Sequence, residues 1–175
     1  MKKLILGSAI VAILGVASNA MAAPNTGTVN FTGSVSTATC EIALQDNSGG
    51  SISNVNLGTL STANNDAGTA VEFKLVPQDQ SCLDKTDANI TWTSSTLHSA
   101  GITNATKGGT TAYLWVKATN ATQTGAASII KQGQTSFDYT GGVKSFNYSA
   151  QLAKPNGGAT AGAFNASASY VVTYK

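Results

Sequence analysis

The residues that could carry catalytic chemistry are few and scattered. His98 is the only histidine, and it lies in a polar, loop-like segment, residues 94–99. Asp84 and Asp87 could form a carboxylate pair, although a solvated turn explains their spacing as well. No nucleophile elbow, phosphate-cradling glycine loop or metal-ligand spacing occurs. The sequence therefore predicts a protein that is not an enzyme and that needs no metal and no cofactor.

A different kind of chemistry is offered by Tyr113, Trp115 and Lys117, which alternate with Leu114 and Val116. If the two aliphatic residues point inward, the other three share the outer face of one strand. Aromatic rings beside a cation can stack on a sugar and pair with an acidic group. They are candidate contacts to glycans. Two other readings remain open, a contact between subunits and the opposite register with Trp115 in the core.

The N-terminus has the features of a secretory signal peptide. Lys2 and Lys3 precede an uncharged apolar run from Leu4 to Val16, and Ala20 and Ala22 supply the small residues of a cleavage site. The run is too short for a membrane span, although a retained anchor is the alternative. Removing residues 1–22 leaves 153, the size of one domain, with no membrane span. We therefore expect the chain to be exported.

The composition of the predicted mature chain narrows the class of partner. Its eight lysines balance eight acidic residues, and the chain contains no arginine. Because nucleic-acid binding relies on arginine for phosphate and guanine contacts, a nucleic-acid partner is not expected. Cys40 and Cys82 form an even pair in an exported chain, which favours one disulfide over two free thiols. Closing a loop of about 43 residues is worth about 4 kcal/mol by chain entropy.

The sequence between residues 39 and 152 predicts short strands separated by turns. Apolar residues alternate with polar ones in most segments, and no segment has a convincing helical period. The predicted strands cover residues 39–44, 55–60, 71–76, 88–93, 112–118, 129–130, 137–140 and 144–152. This pattern favours an all-β sandwich of immunoglobulin type.

Both ends of the predicted mature chain alternate strongly. Val29, Phe31, Gly33 and Val35 share one face of an N-terminal arm. At the other end a long strand closes the chain, with an apolar face made of Phe164, Ala166, Ala168, Tyr170, Val172 and Tyr174. Something must cover that face and pair its edge. An ordinary first strand and an ordinary last strand of a sandwich are the plainer interpretations.

The terminal segment resembles the C-terminal motif of pilus subunits of the chaperone–usher class. In that family a glycine stands fourteen residues from the end and an aromatic residue stands next to last, here Gly162 and Tyr174. The positions of Cys40 and Cys82 are similar to the family's bridge, which joins the start of the first strand to the end of the second. Residues 146–152 and 161–174 look especially like the adhesive pilins of enteric bacteria.

This resemblance implies an incomplete immunoglobulin-like sandwich that is completed by a donor strand from the neighbouring subunit. Residues 23–36 would be the arm and residues 37–175 the pilin domain, with Val29, Phe31 and Val35 as plugs and Gly33 at a tight spot. A periplasmic chaperone would hold the strand from Gly162 to Tyr174 and anchor the terminal carboxylate of Lys175. An outer-membrane usher would then secrete the subunit into a surface fimbrium of identical subunits.

The function expected from this resemblance is a structural subunit that polymerises by donor-strand exchange into pili used for adhesion. Two alternatives stay open. The subunit could itself be the glycan-binding adhesin, or the chain could be a free-standing secreted β-sandwich binding protein. A single domain of this size leaves no room for a separate lectin domain.

Overall fold

The structure, a computed structural model, describes residues 26–35, 40–63 and 67–175, and for residues 26–35 it describes the backbone. The predicted signal peptide lies outside these ranges. No helix in the described ranges is long and apolar enough to cross a membrane.

The segments in which apolar and polar residues alternate form β-strands in the described ranges. The strands are β1 (Thr26–Val35), β2 (Ile42–Asp46), β3 (Asn54–Thr59), β4 (Val71–Pro77), β5 (Ala88–Thr93), β6 (Leu97–His98), β7 (Gly101–Thr103), β8 (Tyr113–Ala118), β9 (Ser136–Tyr139), β10 (Phe146–Ala153) and β11 (Phe164–Tyr174). A short helix, α1 (Gln80–Leu83), follows β4, and a 3₁₀ turn covers Gly125–Ser128. The all-β prediction is confirmed.

The strands form two sheets. The first has the order β3-β1-β11-β5-β9, and the second has the order β2-β4-β10-β8-β7-β6. Among the described strands, β1 and β11 run parallel and the other paired strands run antiparallel. Parallel neighbours need a long connection, and here the whole domain lies between the two strands.

The core lies between the sheets and is built from the inward positions of each strand. Phe73 on β4 and Leu114 on β8 are fully buried in the second sheet. Ile90 on β5 and Val172 on β11 are fully buried in the first. Burying an aliphatic or aromatic side chain of this size contributes about 1.5–3 kcal/mol. The alternation that the sequence shows is therefore the alternation between core and solvent.

A polar link crosses this core between the sheets. The Trp92 indole Nε1 donates to the Tyr148 hydroxyl at 3.1 Å, and the Tyr139 hydroxyl donates to the same oxygen at 2.6 Å. Burial, the largest cause, raises the pKa of both Tyr139 and Tyr148 above the usual range for tyrosine. Both hydroxyls therefore remain protonated and hydrogen-bonded to one another at physiological pH.

Two local predictions differ from the structure. Residues 129–130 were expected to form a strand, but Ile129 makes only an isolated bridge to Lys117. Conversely, β6 and β7 form a hairpin around His98, in a segment expected to be a loop.

The predicted disulfide between Cys40 and Cys82 is confirmed, with a Cα–Cα distance of 6.3 Å. Cys82 lies in α1 and not at the end of a strand. The bridge therefore links the residues that precede β2 to the segment that follows β4, beside the pairing of these two strands.

Candidate functional site

The first candidate site is the position that β1 occupies in the first sheet. β1 pairs with β11 over nine residues, from Gly27 beside Phe164 to Val35 beside Val172. On its other edge it pairs with β3. Among the described strands, β3 has no other ladder partner in this sheet. A segment near the N-terminus therefore fills an interior position that separates two strands of the domain.

The pairing sets the four alternating arm residues beside the inward face of β11. On β11, Ala166, Ala168, Tyr170 and Val172 are buried, while the residues between them are exposed. The pairs are Val29 with Ala166, Phe31 with Ala168, Gly33 with Tyr170 and Val35 with Val172. The bulkiest of the four arm residues thus stands beside an alanine, and the glycine stands beside the bulkiest of the four β11 residues. This register matches residue sizes across the two strands.

The start of β11 is fixed by Gly162 and Asn104. Gly162 has a φ of +150°, and a Cβ there would lie 2.7 Å from the Thr110 nitrogen. The Asn104 side chain donates to the Ala163 carbonyl at 2.8 Å and accepts from the Asn165 amide at 2.9 Å. Gly162 was singled out from a motif, and close packing is its physical reason. Asn104 was not singled out, because periodicity does not reveal such a clamp.

The end of β11 is held beside the segment around α1. The Lys175 amide donates to the Asp87 carbonyl at 2.9 Å, and the Lys175 ammonium lies 3.8 Å from Asp138 Oδ1. Hydrogen bonds from Asn89 and Gln123 lower the pKa of Asp138. The Lys175 side chain is largely exposed, so this ion pair contributes little to stability.

Tyr174 ends the strand in a partly buried place. Burial, together with nearby Tyr170 and Asp79, raises its pKa to about 12. Its hydroxyl oxygen is buried and has no hydrogen-bond partner within the described part of the chain. The Glu41 amide donates to Asp79 Oδ2 at 2.8 Å. This hydrogen bond joins the residue before β2, next to Cys40, to the segment between β4 and α1.

The second candidate site is the outer face of β8. Leu114 and Val116 are fully buried, whereas Tyr113 and Trp115 are half-buried and Lys117 is exposed. The opposite register, with Trp115 in the core, is therefore excluded. The Tyr113 and Trp115 ring centroids lie 5.9 Å apart at an interplanar angle of 53°. The three residues predicted from sequence do share one outer face.

The β6–β7 hairpin supports Trp115. Its indole Nε1 donates to the Ala100 carbonyl at 2.9 Å. Gly101 has a φ of +142°, and a Cβ there would lie 3.3 Å from Trp115 Cδ1 and against the Leu114 carbonyl. The hairpin can approach this closely because Gly101 has no side chain. On the neighbouring β10, Gln151 pairs with Trp115 and Ser149 pairs with Lys117, so the aromatic pair is bordered by polar residues.

The residues considered for catalysis have local partners and do not form a common site. The Ala100 amide donates to His98 Nδ1 at 3.3 Å. Asp84 Oδ1 accepts from the Gln80 amide at 2.7 Å, and Asp87 Oδ2 accepts from the Thr86 hydroxyl at 3.2 Å. In the part of the chain that the structure describes, no group of three His, Cys, Asp or Glu residues could hold a metal ion.

Comparison with known proteins adds the family. The sequence profile of a family described as "Fimbrial protein" matches residues 29–175, which include β11 and all but the first residues of β1. The K99 fimbrial protein of Escherichia coli is 39% identical over 186 aligned positions, covering 99% of each chain. The F107 fimbrial protein of Escherichia coli is 33% identical over 180 aligned positions, covering 100% of each. On the match of the family profile and these two relatives, the chain belongs to the fimbrial protein family.

Proposed function

We propose that this chain is a structural fimbrial subunit that polymerises by donor-strand exchange into surface pili used for adhesion. The observation that supports this most directly is the position of β1. It is close to the N-terminus, yet it pairs on both edges inside the first sheet. A terminal strand can be replaced by the same strand of another copy, because the incoming strand offers identical backbone hydrogen bonds and side chains.

The same geometry supports the partners that the family resemblance implies. If β1 leaves, β11 keeps β5 on one edge but loses its partner on the other edge over nine residues, while Ala166, Ala168, Tyr170 and Val172 keep facing the core. An unpaired edge with an apolar face is an aggregation hazard. A periplasmic chaperone would cover this edge by supplying a strand, and an outer-membrane usher would exchange that strand for the arm of the next subunit. Identical subunits in a surface fimbrium are then the permanent partner.

The first experiment compares the mature chain, residues 23–175, with two variants of the arm. Phe31→Asp places a charge beside Ala168, which is buried on β11, and Thr32→Asp places the same charge beside Ser169, which is exposed. We expect the wild type and Thr32→Asp to form polymers that resist SDS. We expect Phe31→Asp to form none, because position 31 is a plug in the proposed exchange and burying an unpaired carboxylate costs far more than burying a phenyl ring. Polymers are measured by gel electrophoresis without heating and by electron microscopy.

Removal of residues 23–36 is the stronger perturbation. The shortened chain should not polymerise, and it should be less stable than the full chain in urea. Equal stability of the two chains as monomers would contradict the proposal and favour a free-standing binding protein. So would equal polymer formation by Phe31→Asp and Thr32→Asp.

A second candidate function is that the subunit itself binds host-cell glycans through Tyr113, Trp115 and Lys117. The observation in favour is that the two rings and the ammonium share one outer face whose neighbouring strand presents Ser149 and Gln151. Aromatic rings stack on the apolar faces of sugars, while amides, hydroxyls and a cation bind their polar groups.

Trp115→Ala and Lys117→Ala should each lower erythrocyte binding by assembled fibres. Lys74→Ala is the matched control, because Lys74 projects from the same sheet on β4 and its ammonium donates to the Asn47 carbonyl at 3.1 Å. Electron microscopy must show fibres of normal length for each variant. Binding that is unchanged in both test variants would exclude this face as the glycan site.

A further inference from the structure

The strand that completes the first sheet belongs to the same chain, and its direction follows from how it is attached. β1 ends at Val35, beside Val172, and Cys40 begins the rest of the domain. The connection through residues 36–39 can span at most about 17 Å. Cys40 adjoins Glu41, which is hydrogen-bonded to Gln78 and Asp79 just after β4. The Tyr174 ring at the end of β11 lies 6.4 Å, centroid to centroid, from Phe146, which pairs with Leu75 near the end of β4. A link this short keeps the end of the arm near the end of β11, which favours the parallel direction.

The arm of a neighbouring subunit has no such link. No link sets the direction in which it enters the groove between β3 and β11 that β1 fills, and it must come from solution at the concentration of the subunits. The chain's own arm is present at an effective concentration on the order of millimolar, because only four residues join it to the rest of the domain. In a dilute solution of subunits, the chain's own arm therefore fills the groove more often than the arm of a neighbour does.

We propose that this self-closed arrangement is a latent state of the unassembled subunit. The chain's own arm occupies the groove, so a neighbour's arm cannot bind there. While it is bound there, the same arm cannot enter the groove of a neighbour. Each monomer is thus blocked both as a donor and as an acceptor until β1 leaves, and departure of β1 limits the rate of assembly. This inference rests on the proposed function, because it concerns the step that precedes strand exchange.

The register provides a reversible lock for testing this state. Thr32 stands beside Ser169, which is exposed on the outer face of the first sheet. Neighbouring strands lie about 4.8 Å apart, within the Cα separation that a disulfide tolerates. In the full mature chain, Thr32→Cys with Ser169→Cys should form a disulfide within one molecule. Val171 is also exposed, but it lies about 8 Å from position 32 by the same spacings, too far for a bridge.

The experiment oxidises dilute monomers of both double variants and maps the link by peptide mass spectrometry. We expect a link between positions 32 and 169 within one chain, and none for the control variant, Thr32→Cys with Val171→Cys. The oxidised monomers are then concentrated in the presence of sheared wild-type fibres. The locked variant should stay monomeric while the control and the wild type polymerise. Mild reduction should restore polymer formation, since Cys40 and Cys82 are each only 2% exposed and their bridge is protected.

Two outcomes would overturn the latent state alone. One is the absence of a link between positions 32 and 169 in dilute monomers, or its replacement by an intramolecular link between positions 32 and 171. The other is a locked variant that polymerises as fast as its reduced form. Failure of the wild type to polymerise is a distinct result, because it removes the proposed function and the latent role with it.

Discussion

The five-stranded sheet takes its second strand from near the N-terminus, whereas every strand of the six-stranded sheet follows Cys40. In the six-stranded sheet all described pairings are antiparallel, and the disulfide lies beside the pairing of β2 with β4. In the five-stranded sheet the parallel pair β1–β11 depends on a strand that only a short link attaches.

Under the proposed function, this difference means that one domain combines a permanent sheet, the six-stranded one, with an exchangeable sheet, the five-stranded one. Local antiparallel pairing fixes the sheet that carries Tyr113, Trp115 and Lys117, so its outer face is independent of β1. In the proposed exchange, β1 of the other sheet is the strand that a second molecule replaces. The two sheets are nevertheless coupled, because the Trp92–Tyr148–Tyr139 link joins β5 and β9 to β10.

The largest effect is expected from removing the disulfide beside the permanent sheet. Replacing Cys40 and Cys82 together by serine should lower the free energy of unfolding by about 4 kcal/mol, because the loop that they close is no longer restrained in the unfolded chain. Urea unfolding of the monomer, followed by circular dichroism, measures the change. The wild type in excess reductant is the control, and a loss below about 1 kcal/mol would contradict the chain-entropy argument.

Next comes the start of β11, in the exchangeable sheet. Gly162→Val should cost about 3 kcal/mol, because it combines a strained φ with overlap against the Thr110 backbone. Gly158→Ala is the matched control, since Gly158 also has a positive φ, +95°, but has no atom within 4 Å of an added Cβ. Thermal unfolding of both variants should separate strain from overlap. An equal loss of stability in the two variants would mean that close packing at Gly162 does not contribute to the effect.

A smaller effect is expected from the link between the sheets. Tyr148→Phe removes the oxygen that accepts from Trp92 and Tyr139, and leaves two buried donors without that partner. The expected loss is about 2 kcal/mol. Tyr113→Phe, which removes a hydroxyl from the outer face, should change stability by less than about 0.5 kcal/mol. If both variants unfold at the same urea concentration, the polar link does not stabilise the contact between the sheets.

The last effect is absent at neutral pH and appears only at alkaline pH. The folded pKa of Tyr174, about 12, exceeds the value of about 10 for an unfolded tyrosine. Its contribution to stability is therefore complete below pH 10 and is lost as the pH rises toward 12. Tyr174→Phe should reduce the loss of stability across this range, measured by urea unfolding at a series of pH values. Parallel curves for the variant and the wild type would show that Tyr174 does not titrate with folding.

Sequence periodicity predicts most of the permanent sheet and the whole of β11, because alternation directly encodes which side chains face the core. It also identifies the arm as a strand. It cannot supply the parallel direction of β1 or its place between β3 and β11, since a period defines a face and not a partner. The β6–β7 hairpin was missed because two- and three-residue strands are too short to show alternation. The clamp by Asn104 was missed because one polar side chain in a loop has no pattern at all.

The two tryptophans of this chain lie in different sheets and in different surroundings. Trp92, on β5, is 1% exposed and its ring centroid lies 5.3 Å from that of Tyr170, the β11 residue that stands beside Gly33 of the arm. Trp115, on β8, is half-buried at the outer face of the other sheet. Their fluorescence should therefore divide into a blue-shifted component that responds when β1 moves and a red-shifted one that responds to ligands on β8. The chain thus carries a separate optical probe for each sheet, and neither requires a label.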